Sequence, residues 1–167
     1  MSIALRLALH LPRDAATVPV VRRLLDQALH TLGVEPSCRD DISLILTEAC
    51  ANVIEHALQI DDYEITIEVA AERCVIHVIN AGAVVDPSRL SLPVVPSAGP
   101  AAGSAAVLPA ARAGDVDPVL DEHGRGLHII RSLADELYVT PALAGGLVLQ
   151  AVTTLRWTAD AEVWQRH

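Results

Sequence analysis

The sequence predicts an α+β two-layer sandwich, in which a mixed and mostly antiparallel sheet of about five strands is covered on one face by about three helices. Strand-like alternation of apolar residues marks five segments, and helical spacing marks three others. Their order is strand, helix, helix, strand, strand, helix, strand, strand. With 167 residues, of which 51% are hydrophobic, the chain can bury a sizeable core, and we expect a single domain over residues 1–167.

The first part of the chain predicts one strand and two helices. Apolar residues alternate along residues 3–11, as they do in a strand with one buried face. The apolar residues of Thr17–Leu32 recur at helical spacing, and Gly33 predicts the end of that helix. We expect the second helix to begin with Ser37 as its N-cap and to continue to about Leu58.

Two pairs of strands and a third helix account for most of the rest. We expect strands at residues 64–69, 74–79, 137–140 and 147–157, with the third helix beginning at the glycines of "HGRG". Residues 88–123 are rich in Ala, Pro and Gly and show no periodicity. A segment of this kind inside a compact domain is typical of a functional lid or a disordered insert.

Composition and charge exclude several classes of function. The net charge is −9, and there are two Tyr, two Trp and no Phe, so neither a basic surface nor base-stacking aromatics are available for nucleic acid. No uncharged stretch is long enough to span a bilayer and the N-terminus lacks a signal-peptide pattern, so we expect a cytoplasmic protein. The thiols of Cys38, Cys50 and Cys74 are expected to be buried and free, and no Cys/His metal site is visible.

The second predicted helix carries polar residues beside its apolar stripe. Asp41, Glu48, Asn52 and Glu55 fall on one side, and Glu48 and Asn52 are one turn apart. A carboxylate and a carboxamide oxygen at that spacing suit Mg²⁺, and the carboxylate alone suits a general base. On this segment alone, a solvated helix face is the better explanation of the pattern.

Two further segments have the chemistry of a ligand site. "VINAGAVVDP" ends a strand with Asn80, whose amide can read a ligand edge, and Gly82 lets the backbone approach a flat ring. "HGRGLHII" places Gly124 and Gly126 at a helix start, where free N–H groups bind anions, and adds the charge of Arg125. Taken singly, a strand-to-loop turn and a glycine-rich helix start are common structural features.

Together and in this order, "TEACANVIEHA", "VINAG" followed by "DP", and "GRGLHIIRSLADE" resemble the N-box, first glycine box and second glycine box of the GHKL (Bergerat-fold) ATPases. Within that superfamily, they are most similar to the anti-sigma-factor serine protein kinases. The resemblance covers essentially the whole chain. It implies the Bergerat fold, with residues 88–123 as a long ATP lid.

The resemblance also implies roles for matching residues. Asn52 would coordinate the Mg²⁺ that bridges the phosphates of ATP, and Glu48 would be the catalytic base toward the acceptor serine of a partner. Asn80 would read the adenine, and Gly82 would pass under the ring. Gly124, Arg125, Gly126 and Leu127 would close the phosphate end of the nucleotide site.

The sequence departs from the family pattern at the base and in the lid. Asn80 replaces the family's Asp, although its carboxamide can both accept from adenine and donate to it. Val84 replaces the second glycine of the first box, and a β-branched residue resists positive φ. Of the cations, only Arg89 and Arg112 lie in the lid region.

The function implied by the resemblance is an anti-sigma factor that uses ATP and Mg²⁺ to phosphorylate a serine of an anti-sigma-factor antagonist and so regulates transcription by partner switching. Its partners would be a sigma factor, the antagonist and a second copy of the chain in a homodimer, without nucleic acid or membrane. The alternative is a non-catalytic binding module that sequesters a partner with weak nucleotide binding or none. An ATP-driven switch of the gyrase or chaperone type is a third reading, disfavoured because 167 residues leave no room for a transducer.

Overall fold

The computed structural model describes residues 3–56, 61–70, 72–81, 125–141 and 146–161. Over these residues the chain forms a five-stranded sheet in the order β1-β2-β3-β5-β4, and every neighbouring pair is antiparallel. The elements are β1 (Ile3–Pro12), α1 (Thr17–Leu32), α2 (Pro36–His56), β2 (Asp62–Ala70), β3 (Arg73–Ala81), α3 (Arg125–Leu133), β4 (Glu136–Pro141) and β5 (Gly146–Thr154). The predicted α+β architecture is therefore confirmed, while the segment predicted to be the lid lies outside the described residues.

The sheet has one helix-covered face and one open face. Pairing of Leu7 with Ile67, and of Ile67 with Ile76, aligns the apolar residues of β1, β2 and β3 on the same side. The buried apolar residues that β2–β5 place on that side are Tyr63, Ile65, Ile67, Val69, Cys74, Ile76, Val78, Leu137, Val139, Leu149 and Ala151. The opposite face carries polar residues such as Glu68 and His77, as the period-two pleat requires.

Helix α2 packs on α1, on α3 and on strands β3 and β5, so it is central to the helical layer. Its apolar side, with Ile42, Leu46, Ala49 and Val53, is buried as the helical spacing predicted. Among the described residues, Tyr63, which is 1% exposed, is the one buried aromatic side chain in a core of aliphatic residues and cysteines. All three cysteines are buried and free, as predicted from the sequence.

The sequence predicted the end of α1 correctly and the start of α2 wrongly. Helix α1 ends at Gly33, whose φ of 86° is left-handed, and its N–H donates to the carbonyl of His30 as predicted for a C-terminal glycine. The prediction of Ser37 as the N-cap of α2 is wrong. The carbonyl of Glu35 accepts from the N–H of Arg39, so Glu35 takes that place and Pro36 fills the first helical position, where its missing N–H costs nothing.

No helix among the described residues is long and apolar enough to cross a membrane.

Candidate functional site

Glu48 and Asn52 lie one turn apart on α2, at the border between its buried stripe and solvent. Both residues are half-buried, whereas Glu55, on the next turn, is exposed. The buried stripe of Ala49 and Val53 fixes the rotation of the helix, and this rotation places the carboxylate and the carboxamide along one edge of it. The amphipathic pattern of the sequence thus positions these two polar groups.

The first turn of α3 lies directly against these two side chains. A Cβ added to Gly126 would stand 2.9 Å from Oε2 of Glu48 and 3.2 Å from Oδ1 of Asn52. Because real Cβ atoms do not approach other atoms that closely, a side chain here would displace Glu48 or Asn52. Glycine at this position lets the first turn of α3 meet a carboxylate and a carboxamide, and the first backbone N–H groups of a helix have no partner within the helix itself.

The neighbours of Gly126 in α3 have different environments. Arg125, the first residue of the helix, is exposed to solvent. Leu127 is half-buried and packs against the hydrophobic core. The structure therefore places the guanidinium on the outer side of the helix start, and the leucine anchors this turn to the domain.

The amide nitrogen of Asn52 is buried and lacks a hydrogen-bond partner among the described residues. A buried polar group of this kind costs roughly 1–3 kcal/mol, and native structures keep it where a ligand or water completes it. With the oxygens of Glu48 and Asn52 beside the start of α3, the donor set suits a hydrated Mg²⁺ and phosphate oxygens. The residues present therefore fit a metal–polyphosphate group.

Asn80 lies near the end of β3 on the helix-facing side, where it follows the buried residues Ile76 and Val78. It is 6% exposed, and its Oδ1 accepts a hydrogen bond of 2.5 Å from the backbone N–H of Leu147. A polar side chain in a row of buried apolar ones needs such a partner. Strand β5 thus holds the carboxamide of Asn80 in a fixed orientation.

The second half of α2 and the end of β3 lie at the same end of the domain. Ile65 of β2 pairs with Val78 of β3. Because the two strands are antiparallel, Tyr63 and Asn80 each lie two residues beyond that pair toward the same end of the sheet, and they lie on the same face there. The Tyr63 hydroxyl is close enough to the Cys50 thiol to influence its pKa. Because Cys50 lies on α2 between Glu48 and Asn52, these two residues and Asn80 belong to one region of the fold.

Cys50 is disfavoured as a nucleophile in this region. Burial raises the pKa of Cys50 to about 11, and the neighbouring Tyr63 hydroxyl offsets only part of that rise. The thiol is therefore protonated at neutral pH, and a protonated thiol is a poor nucleophile. The chemistry of this region depends on oxygen and amide groups.

The predicted site residues Gly82 and Gly124 lie outside the described residues, as do Val84 and the segment 88–123. The structure brings together Glu48, Asn52 and Gly126, and it places Asn80 at the same end of the domain.

Sequence reasoning missed Gly146 and Leu147, which support Asn80 from β5. Gly146 has a φ of 90°, and a Cβ there would collide with the backbone carbonyl oxygen of Asn80 and stand 2.9 Å from its Oδ1. The available signal was the pair Gly145-Gly146 immediately before the last predicted strand.

Comparison with known proteins identifies the family. Residues 11–153 match the family model of the histidine kinase-like ATPase domain. The chain belongs to this family. The resemblance to GHKL ATPases, stated above on three short motifs, is therefore confirmed over most of the chain.

Relatives and a solved structure agree with this assignment. The chain is 26% identical over 139 residues to the serine-protein kinase RsbW of Bacillus cereus (strain ATCC 10987 / NRS 248), covering 80% of this chain and 76% of the relative. The same values hold for the serine-protein kinase RsbW of Bacillus mycoides (strain KBAB4).

A crystal structure of the RsbU and RsbW domains of Rv1364c from Mycobacterium tuberculosis superposes with a TM-score of 0.60 at 17% identity. It covers 95% of this chain and 36% of that longer one, so the present chain spans about a third of the solved protein. At this identity the superposition shows the shared fold.

Proposed function

We propose that this chain is an anti-sigma factor that uses ATP and Mg²⁺ to phosphorylate a serine of an anti-sigma-factor antagonist, and that it regulates transcription by partner switching. The observation that carries the proposal is the close approach of Gly126 to both Glu48 and Asn52, which joins the proposed general base and the proposed metal ligand to a helix start. Similarity to serine-protein kinases supports the choice of reaction.

The described residues divide the binding of the nucleotide among three elements. The carboxamide oxygen of Asn52 would hold Mg²⁺, and the free N–H groups at the start of α3 would face the phosphates, with Arg125 adding charge nearby. Asn80 would read the base. When bound, ATP supplies the phosphoryl group and Mg²⁺ neutralises its negative charge. We propose Gly82, Gly124 and Leu127 as further nucleotide-site residues from their positions in the motifs.

Glu48 would act on the acceptor rather than on the nucleotide. A serine hydroxyl must lose its proton as it attacks a phosphoryl group, and a carboxylate within hydrogen-bond reach can accept that proton. Gly126 places no side chain of its own against Oε2, and Asn52 lies one turn away on the same edge of α2. Glu48 would therefore act on the serine that receives the phosphoryl group, and Asn52 would hold the metal on the nucleotide that donates it.

The proposed partners are a sigma factor, the antagonist and a second copy of the chain, in the cytoplasm and without nucleic acid or membrane. The net charge of −9 supports protein partners over nucleic acid. Val20 and Leu24 of α1 and Leu44 of α2 are 68%, 46% and 42% exposed, which supports α1 as part of a homodimer or partner surface. The apolar side of β1 faces the core instead, with Leu5, Leu7, Leu9 and Leu11 packed against it.

Calorimetric titration with ATP and Mg²⁺, followed by a transfer assay, tests the proposal. We expect Mg²⁺-dependent binding, and we expect radiolabelled phosphate to appear on a serine of a candidate antagonist encoded in the same genome. Phosphoamino-acid analysis identifies the acceptor. The absence of binding at millimolar ATP would contradict the kinase.

One observation favours a second candidate, a binding module that sequesters a partner without catalysis. The oxygen of Asn80 already accepts from Leu147, so the side chain has less capacity to accept from adenine than the two oxygens of a carboxylate would have. For this candidate we expect capture of a sigma factor from lysate that ATP does not change. For the kinase, we expect the antagonist to change the capture of the sigma factor in a way that depends on ATP.

A further inference from the structure

The orientation of the Asn80 carboxamide is determined by chemistry. The backbone N–H of Leu147 can only donate, and it lies 2.5 Å from the side chain of Asn80. The atom that faces it must therefore be the oxygen, since the NH₂ group would set two donors against each other. The buried position of Asn80 raises the free-energy cost of the reversed arrangement.

Strand β5 also approaches the side chain of Asn80 closely. The backbone of Gly146 adopts a φ of 90° and packs so closely on Asn80 that a Cβ would stand 2.9 Å from Oδ1. Glycine is the residue that tolerates this φ, so the approach is built into the sequence. The oxygen of Asn80 is thus kept against β5, and the NH₂ group is the part of the carboxamide that points away from Leu147.

An NH₂ group donates hydrogen bonds, so it pairs with a purine that carries an acceptor on the edge facing it. At position 6, adenine carries an amine, which donates, whereas hypoxanthine and guanine carry a carbonyl, which accepts. We propose that Asn80 makes this nucleotide site accept 6-oxopurine nucleoside triphosphates at least as tightly as ATP. The proposal rests on the nucleotide site of the proposed function and changes the class of base that the site takes.

The competing arrangement uses Asn80 to read adenine with both of its polar atoms. The adenine amine would then share Oδ1 with Leu147, in a space that Gly146 narrows. A carboxylate at this position would keep one oxygen for Leu147 and present the other to the amine. With a carboxamide in place of the carboxylate, the group that faces the ligand is therefore a hydrogen-bond donor instead of an acceptor.

Calorimetric titration of the wild-type protein with ATP, inosine triphosphate and guanosine triphosphate, each with Mg²⁺, tests the proposal without an acceptor protein. Inosine triphosphate is the sharpest probe because it differs from ATP at position 6 and in the proton at N1. We expect it to bind at least as tightly as ATP. In Asn80→Asp we expect its affinity relative to ATP to fall about tenfold, the effect of one hydrogen bond.

The ratio of the affinities for inosine triphosphate and ATP cancels any effect of a substitution on the binding of the triphosphate, which both nucleotides carry. Gln150→Glu is the matched control, because it makes the same change of amide to carboxylate on the open face of β5, opposite His77, and should leave the ratio unchanged. Tighter binding of ATP than of inosine triphosphate by the wild-type protein would overturn this proposal alone. Binding of none of the three would overturn it together with the nucleotide site, so the two failures are distinguishable.

Discussion

Gly126 of α3 lies against Glu48 of α2 so closely that a Cβ at position 126 would stand 2.9 Å from Oε2. The contact joins two motifs that are far apart in the sequence. It also couples the placement of a short helix to the polar edge of a long one, because α3 packs on α2 through its first turn as well as through its apolar side.

Replacing Glu48 by Gln should separate catalysis from binding. Gln is nearly isosteric with Glu but cannot accept the serine proton, so we expect phosphate transfer to fall about 10²- to 10⁴-fold. Affinity for ATP and Mg²⁺ should change little, because Asn52 and the start of α3 remain. Single-turnover transfer and calorimetric titration measure the two quantities, and transfer at the wild-type rate would mean that another group is the base.

Replacing Asn52 by Ala should remove the Mg²⁺-dependent part of nucleotide binding. The carboxamide oxygen is the proposed metal ligand, and its amide nitrogen is a buried donor with no partner among the described residues, so its removal should leave the folded state intact. Titration with ATP in Mg²⁺ and in EDTA gives the result directly. Glu55→Ala, on the exposed side of the next turn, is the control, and an equal loss in both variants would contradict the role of Asn52.

Replacing Gly126 by Ala should impair the site more than the fold. The new Cβ meets side-chain atoms of Glu48 and Asn52 that can shift, and alanine favours a helix over glycine by about 1 kcal/mol. We expect stability within about 1 kcal/mol of wild type and at least a roughly tenfold loss of transfer, because the base is displaced. Ser132→Ala, an exposed position on the same helix, should change neither quantity.

Replacing Gly146 by Ala should impair the fold itself. Here the Cβ would collide with the backbone carbonyl of Asn80, and a residue with a side chain is strained at a φ of 90°. We expect a loss of about 3 kcal/mol or more in the free energy of unfolding, measured by urea denaturation. Gly126→Ala is the matched comparison, since its Cβ meets movable side chains instead, and equal losses in the two variants would contradict this distinction.

Local periodicity predicted the strands and the buried stripe of α2 because burial on one face determines both. The bounds of α1 were predicted from residues Thr17 and Gly33, since a left-handed glycine ends a helix in a way that is visible in the sequence. Ser37 was predicted wrongly as a cap because Pro36 also fits the first helical position and moves the start by two residues. All of these features are determined by residues that are neighbours in the sequence.

The contacts of the site depend on tertiary structure, which no local pattern contains. The pairing of β3 with β5 brings Leu147 next to Asn80, although they are far apart in the chain. A glycine before a strand has many possible causes, so Gly146 could not be assigned to the site without that pairing. The motif resemblance suggested that Glu48, Asn52 and Gly126 belong together, and the packing of α3 on α2 supplies the physical contact.

The pH dependence of stability should depend on His77, which lies on the open face of β3 away from the candidate site. Burial lowers its pKa below 6.5, with the Arg6 charge lowering it further and Glu68 opposing them. Its Nε2 is buried without a partner among the described residues, so the folded state favours the neutral ring. The unfolded chain therefore binds the proton more readily, and stability falls as the pH decreases through about 6.5 and below.

His77→Gln should remove this loss. As the pH falls from about 7.5 to 5, the free energy of unfolding of the wild type should therefore decrease relative to that of the variant. His10 has a raised pKa because of its hydrogen bond and ion pair with Asp62, and its effect runs in the opposite direction. Since His10 is present in both proteins, the difference between them isolates His77. Urea denaturation at a series of pH values measures it, and parallel curves would show that His77 titrates alike in the folded and unfolded states.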